Sequence, residues 1–272
     1  MMNVTVPMTT AGPIVTGVDG SPAGEYAAVW AAKEAAARNT VLRLVYAAEA
    51  DNDDNADIER TMAEARSVLH RAWETVTDTG VAVKLESEIV FGRPVDCLVA
   101  ASRGAAMVCV GAGEGRGATA AALVKQAHGP VAVIHRRTAE SIDPRKWIVV
   151  VLDETDSALD ALRAAMHEGV LRAAPVLVLE SWSHGPRADV GDADRHPVRT
   201  ILEEYLTGRG VTDGQVCTLP MPTHLLHLLR QSVSIDQLLV VAADHQVLVE
   251  ELTGPRAREI LRGTDCSLLF IR

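Results

Sequence analysis

Runs of β-branched, apolar residues alternate with alanine-rich helical patterns along this chain, and the whole alternation occurs twice. The first half reads IVTGVD (14–19), a helix opened by Ser21 and Pro22, VLRLVYA (41–47), a second helix, and VAVKLESEIV (81–90). After Gly92-Arg93-Pro94 come a short helix, AAMVCVG (105–111), a small-residue helix and PVAVIH (130–135). Such an order predicts an α/β fold with a parallel sheet covered on both faces. Beyond a charged linker, RRTAESIDPRK (136–146), the order restarts with IVVVLD and PVLVLES. Asp19 and Asp153 end equivalent strands 134 residues apart, and Val41 and Pro175 open the next strands at the same spacing of 134. Two landmarks at one spacing imply an internal duplication. Val110 to Val241 is 131 and Pro130 to Ser267 is 137, so loops were lost and gained between the copies. Two tandem domains are expected, residues 1–137 and 138–272.

Several function classes are excluded by composition. Lys plus Arg number 26 against 36 Asp plus Glu, a formal charge of −10. A nucleic-acid binder relies on a basic surface that releases counterions, so none is expected as a partner. Aromatic residues make up 3% of the chain, which leaves Ala, Val, Leu and Ile to build the core. No uninterrupted apolar run reaches the length of a membrane-spanning helix, and the opening MMNVTVPMTTAGP has neither the basic start nor the apolar run of a signal peptide. Cys97, Cys109, Cys217 and Cys266 show no CxxC spacing. The expectation is a cytoplasmic protein without a disulfide framework or membrane partner.

In open parallel sheets, ligands sit beyond the carboxyl ends of the strands. The residues there are Gly17-Val18-Asp19-Gly20-Ser21, Ala47-Ala48-Glu49, and the run from Val110 and Gly111 through Gly113, Glu114, Gly115, Arg116, Gly117 and Ala118 to Thr119. A glycine-rich loop between strand and helix lets backbone N–H groups approach an anion, with the helix dipole assisting. Arg116 and the Thr119 hydroxyl would add donors. Glycine turns also simply pass a chain from strand to helix. Asp19 has two fates, capping the next helix or accepting hydrogen bonds from a ribose. Ser21, Pro22 and Glu25 supply good chemistry for starting that helix.

The segments IVTGVDGSPAGEYAAVWAAKEAAARNTVLRLVYAAE, GRPVDCLVAASRGAAMVCVG and GPVAVIH, with IVVVLD, IDQLLVVAADH and REILRGTDCSLLFIR in the second half, resemble the universal stress proteins, specifically the tandem two-domain kind. The resemblance implies two flavodoxin- or Rossmann-like domains, each with a five-stranded parallel sheet. It also implies an ATP site in members carrying the motif G-x-x-G, a nine-residue gap and G-S/T, and dimers formed through the last strand. Carried over, Asp19 with Gly17 and Val18 meets the nucleoside, and Ala47 lines the adenine. Val110, Gly111, Gly113, Gly117, Ala118 and Thr119 stand where the phosphate motif would be. The ligand implied is ATP, with AMP and cyclic AMP as alternatives and no metal required.

Departures from the family pattern are concrete. Glu114 stands three beyond Gly111, where the motif has glycine, unless Gly113 or Gly115 takes that place. The hydroxyl of Thr119 is displaced by one residue, and the loop between Gly111 and Gly117 has five residues, fewer than the motif spans. In the second half Ala242 replaces the first glycine, Ala243-Asp244-His245-Gln246 follows, and Gly254-Pro255 replaces Gly-Ser. Proline removes a donor and Asp244 repels phosphate, so this copy reads as degenerate, with Asp153 as a cap.

Other constellations have plainer readings. His224 and His227 share a helical face and could seed a zinc site with Cys217 or Asp244, with His245 following the next strand, but tight ligand pairs are lacking. The acidic run Asp51-Asn52-Asp53-Asp54-Asn55 reads as a solvated loop rather than a cation site. No catalytic constellation emerges, so no enzyme is expected. PVAVIH and SLLFIR are apolar on both faces, which predicts that the halves pair through them as an internal pseudo-dimer, with a homodimer as a further option. The leading function is a nucleotide-responsive stress module; its rivals are a non-binding pair serving protein interactions and a slow ATPase.

Overall fold

The computed structural model describes residues 12–49, 55–113, 117–135, 145–181, 216–221, 225–231, 235–261, 264 and 266–272. The chain divides into two compact units, Met1–Ile134 and His135–Arg272. In the first, strands β1 (Ile14–Gly17), β2 (Val41–Ala48), β3 (Lys84–Phe91), β4 (Met107–Gly111) and β5 (Val131–Ile134) alternate with helices α1 (Pro22–Ala37), α2 (Asn55–Asp78), α3 (Pro94–Ala101) and α4 (Gly117–Gln126). The strands lie in the order β3-β2-β1-β4-β5, and every pairing is parallel. Strand order therefore reverses between β1 and β4, which opens a crevice at their carboxyl ends.

The second unit holds β6 (Arg145–Leu152), α5 (Ala158–Arg172), β7 (Val176–Glu180), β8 (Val216–Pro220), α6 (Leu225–Gln231), β9 (Ile235–Ala242), α7 (Gln246–Thr253), α8 (Pro255–Leu261) and β10 (Cys266–Ile271). Its order, β10-β9-β6-β7-β8, is the same topology, again all parallel. The α/β class and the five-stranded parallel sheets expected from sequence are what each unit contains. The strand β8, VCTLP, has no apolar run to announce it, and β6 begins at Arg145, inside the stretch read as linker.

The duplication extends into side-chain contacts. Ile14 pairs with Leu42 in the first sheet, and Ile148 with Val176 in the second, each residue 134 beyond its counterpart. Helix α1 buries Ala27, Ala28, Ala31, Ala32 and Ala35, so its backbone packs close to the sheet. One turn carries a buried carboxylate, Glu34, held by Arg38 Nε at 2.6 Å. Helix α5 repeats the device with Glu168 and Arg172 Nε at 2.9 Å. Two copies of one buried i,i+4 ion pair are strong signs of common descent, since a buried charge is tolerated only with its partner in place.

The start of α1 behaves as its residues predict. Ser21 Oγ accepts from the Gly24 N–H at 3.1 Å, and Pro22 occupies the first turn, where its missing N–H costs nothing. Strand β1 stops at Gly17 rather than at Asp19. The reason is local: the Asp19 carboxylate turns forward to accept the Ser21 N–H at 2.8 Å, which bends the chain out of the strand.

Candidate functional site

Carboxyl ends of parallel strands share one rim, and the first unit has a cavity of about 350 Å³ there. From β1 and the turn after it come Gly17, Val18 and Asp19; from β2, Ala47; from β4, Val110 and Gly111; from α4, Thr119. These seven sequence candidates thus surround one space, although they lie up to about a hundred residues apart. Gly113 and Ala118 are not among the described residues that line it. Gly117 opens α4, Ala118 on its first turn is exposed, and Gly113 sits against the start of α1. Glu114, Gly115 and Arg116 lie outside the described residues.

Geometry explains two glycines. A Cβ at Gly111 would stand 2.3 Å from the Ala23 carbonyl oxygen and 2.8 Å from the Gly24 nitrogen, so β4 and the first turn of α1 touch backbone to backbone. A Cβ at Gly24 would stand 2.7 Å from Asp19 Oδ1. Residues 19–24 therefore form a compact cap: Asp19 fastens Ser21, Ser21 fastens Gly24, and Gly24 leaves room for Asp19. Asp19 fulfils the capping role and also lines the cavity.

Sequence reasoning missed the opposite wall. Arg60, Thr61 and Glu64 of α2 line the cavity, as do Pro94 and Leu98 of α3, whereas Glu49, which lines it after β2, stands in the strand-end run Ala47-Ala48-Glu49 already singled out from sequence. Their signal was present as an i, i+4 pair, Arg60 and Glu64, with Thr61 beside it, but periodicity alone does not tell which rim a helix overlooks. Arg60 forms an ion pair with Asp57 one turn earlier. Leu98 floors the site beneath Gly17, where a Cβ would meet its Cδ1 at 3.0 Å. Burial pushes the Cys97 thiol up, with the Asp96 charge adding to the effect, so this cysteine is a packing residue rather than a thiolate nucleophile.

At the equivalent rim of the second unit the chain supplies its own contacts. Asp153 Oδ1 accepts from the Thr155 N–H at 3.0 Å and from its hydroxyl at 2.5 Å, the counterpart of the Asp19–Ser21 turn. Asp153 Oδ2 lies 3.3 Å from His245 Nε2. The other imidazole nitrogen, Nδ1, accepts from the Leu248 N–H at 3.2 Å and so caps α7. Asp244 Oδ2 accepts from the Ser157 N–H at 3.2 Å. Gly254 ends α7 and Pro255 starts α8, so that pair separates two helices. Of the zinc candidates, His224 lies outside the described residues, while Cys217 and His227 are exposed. Among the described residues no group of three or more His, Cys, Asp or Glu could hold a metal ion. Of the acidic run, 51–54 lie outside the described residues and Asn55 opens α2. No helix among the described residues is long and apolar enough to cross a membrane.

Comparison with known proteins agrees with the fold. The model of the universal stress protein family matches residues 11–135. Universal stress protein Rv2028c of Mycobacterium tuberculosis is 35% identical over 270 residues, covering 95% of each chain. Universal stress protein Rv3134c of the same organism is 40% identical over 221 residues, covering 75% of this chain and 81% of that one. A solved universal stress protein from Archaeoglobus fulgidus aligns with a TM-score of 0.71 over 97% of both chains at 14% identity, a likeness of fold.

Proposed function

The chain belongs to the universal stress protein family, and we propose that its first unit is an adenine-nucleotide-binding module of a cytoplasmic stress response and that its second unit holds no nucleotide. The observation that carries this reading is the cavity that gathers Asp19, Ala47, Gly111 and Thr119 at the β1–β4 switch point. Ala47 offers a small, apolar wall for a flat base, Asp19 an acceptor for hydroxyl donors, and Thr119 a hydroxyl on the first turn of α4. ATP is the starting ligand to test, with AMP and cyclic AMP beside it. On this reading the chain acts by binding rather than by catalysis: phosphoryl transfer needs a metal-ligand set and a group orienting water, and among the described residues the cavity wall offers neither in a recognisable arrangement.

A second reading is favoured by one observation, the self-satisfied rim of the second unit, where Asp153, His245 and Asp244 take their partners from the chain itself. If the first unit has followed the same course, the chain is a non-binding pair that serves protein contacts. Mass spectrometry of small molecules released from the denatured protein, followed by calorimetric titration, separates the two. Nucleotide binding that is lost in Ala47→Trp, which fills the cavity, and retained in His245→Asn, which alters only the second rim, is the expected result. Silence toward adenosine, AMP, cyclic AMP and ATP at about millimolar concentration refutes the binding reading.

A further inference from the structure

We propose that the cavity at the ends of β1 and β4 selects adenine nucleosides bearing little or no phosphate over nucleoside triphosphates, with Glu49 and Glu64 setting that preference; the inference rests on the nucleotide reading above. Phosphate sites are built from converging backbone N–H groups and unengaged cations. Among the described residues of this wall the charged side chains are balanced the other way. Asp19, Glu49 and Glu64 contribute three carboxylates against one guanidinium, that of Arg60, and Asp57 already pairs with Arg60. Residues 114–116 lie outside the described residues and enter neither side of this comparison.

Gly111 adds to the contrast. Although it lines the cavity, its lack of a side chain is accounted for by the backbone of Ala23 and Gly24 packed against it, so this glycine needs no phosphate to explain it. Ionised carboxylates accept hydrogen bonds and donate none. They suit the ribose hydroxyls and the exocyclic amine of adenine, which are donors, and they repel each phosphate in proportion to its charge. Glu49 and Glu64 are exposed at the mouth of the cavity, so their repulsion is screened by salt and their side chains can be neutralised without disturbing the core.

The test is calorimetric titration of the full chain with adenosine, AMP and ATP, without and with magnesium, in wild type and in the double variant Glu49→Gln, Glu64→Gln. Expected is an order adenosine, AMP, ATP in falling affinity, with adenosine about tenfold or more tighter than ATP, and an ATP affinity that rises as salt is raised from about 50 to about 500 mM. In the double variant, with its melting temperature unchanged, the gap narrows to about threefold or less. ATP binding as tightly as adenosine, free or as its magnesium complex, overturns the inference while leaving the nucleotide reading intact. So does an ATP affinity that falls with salt, or a gap that persists in the double variant. Absence of binding by all three ligands overturns the nucleotide reading itself and the inference with it.

Discussion

Gly111, which ends β4, and Gly113 just beyond it lie two residues apart, yet alanine should have opposite consequences at the two positions. At 111 the new Cβ would lie 2.3 Å and 2.4 Å from the carbonyl oxygen and carbon of Ala23, and 2.8 Å from the Gly24 nitrogen. Those atoms belong to a helix start pinned by the Ser21 cap, so they cannot swing aside as a side chain would. Overpacking a well-packed site costs about 1–3 kcal/mol, and contacts with backbone put Gly111→Ala at about 3 kcal/mol. At 113 the nearest atoms would be Ala23 Cβ at 3.7 Å and Ser21 Oγ at 3.9 Å, ordinary contact distances. Gly113→Ala should therefore change stability by less than about 0.5 kcal/mol. Urea unfolding followed by far-ultraviolet circular dichroism reads both from midpoint shifts at constant slope. A Gly111→Ala protein as stable as wild type would mean that α1 and β4 are not held backbone to backbone, and the packing role assigned to this glycine would fail. A large loss at Gly113 would equally refute the reasoning.

Two further outcomes follow from buried ionisable groups. His135 is buried and its imidazole is pushed down to about 4 from 6.5 by loss of solvation, with the Cys266 backbone hydrogen bond opposing. The unfolded chain thus binds a proton at higher pH than the folded one, so His135's contribution is complete above pH 6.5 and is lost as the pH falls toward 4, by about 3 kcal/mol in all. His135→Gln should remove that slope from the stability profile between those limits; an unchanged slope would assign it elsewhere. Arg38→Met leaves the Glu34 carboxylate buried without its guanidinium and should destabilise by about 3 kcal/mol, as should Arg172→Met in the second unit, whereas Glu34→Leu with Arg38→Met should recover most of the loss. Denaturant titration of the single and double variants measures the coupling, and additive losses would count against a buried pair.

How far the amino-acid sequence alone determined this molecule is visible in what is local or repeated. The alternation of strand and helix, the Ser21-Pro22 helix start and the 134-residue repeat are properties of short segments, and β1, α1 and β2 recur as β6, α5 and β7 at that spacing down to the Glu34–Arg38 and Glu168–Arg172 pairs. Seven candidate residues could be gathered on one rim for a general reason: parallel strands present their carboxyl ends on the same side. The α2 wall could not be read this way. Ala65, Val68, Leu69 and Ala72 mark the buried face of α2, but only their seating in the tertiary structure turns Arg60, Thr61 and Glu64 over the cavity. The same holds for Gly111, whose need for glycine comes from Ala23 in another element, and for Asp153 and His245, which meet because β6 and β9 are neighbours. Caps and periodicities are set by interactions within a few residues, whereas which distant groups share a rim depends on strand order and helix rotation, which come from burying all the apolar faces at once.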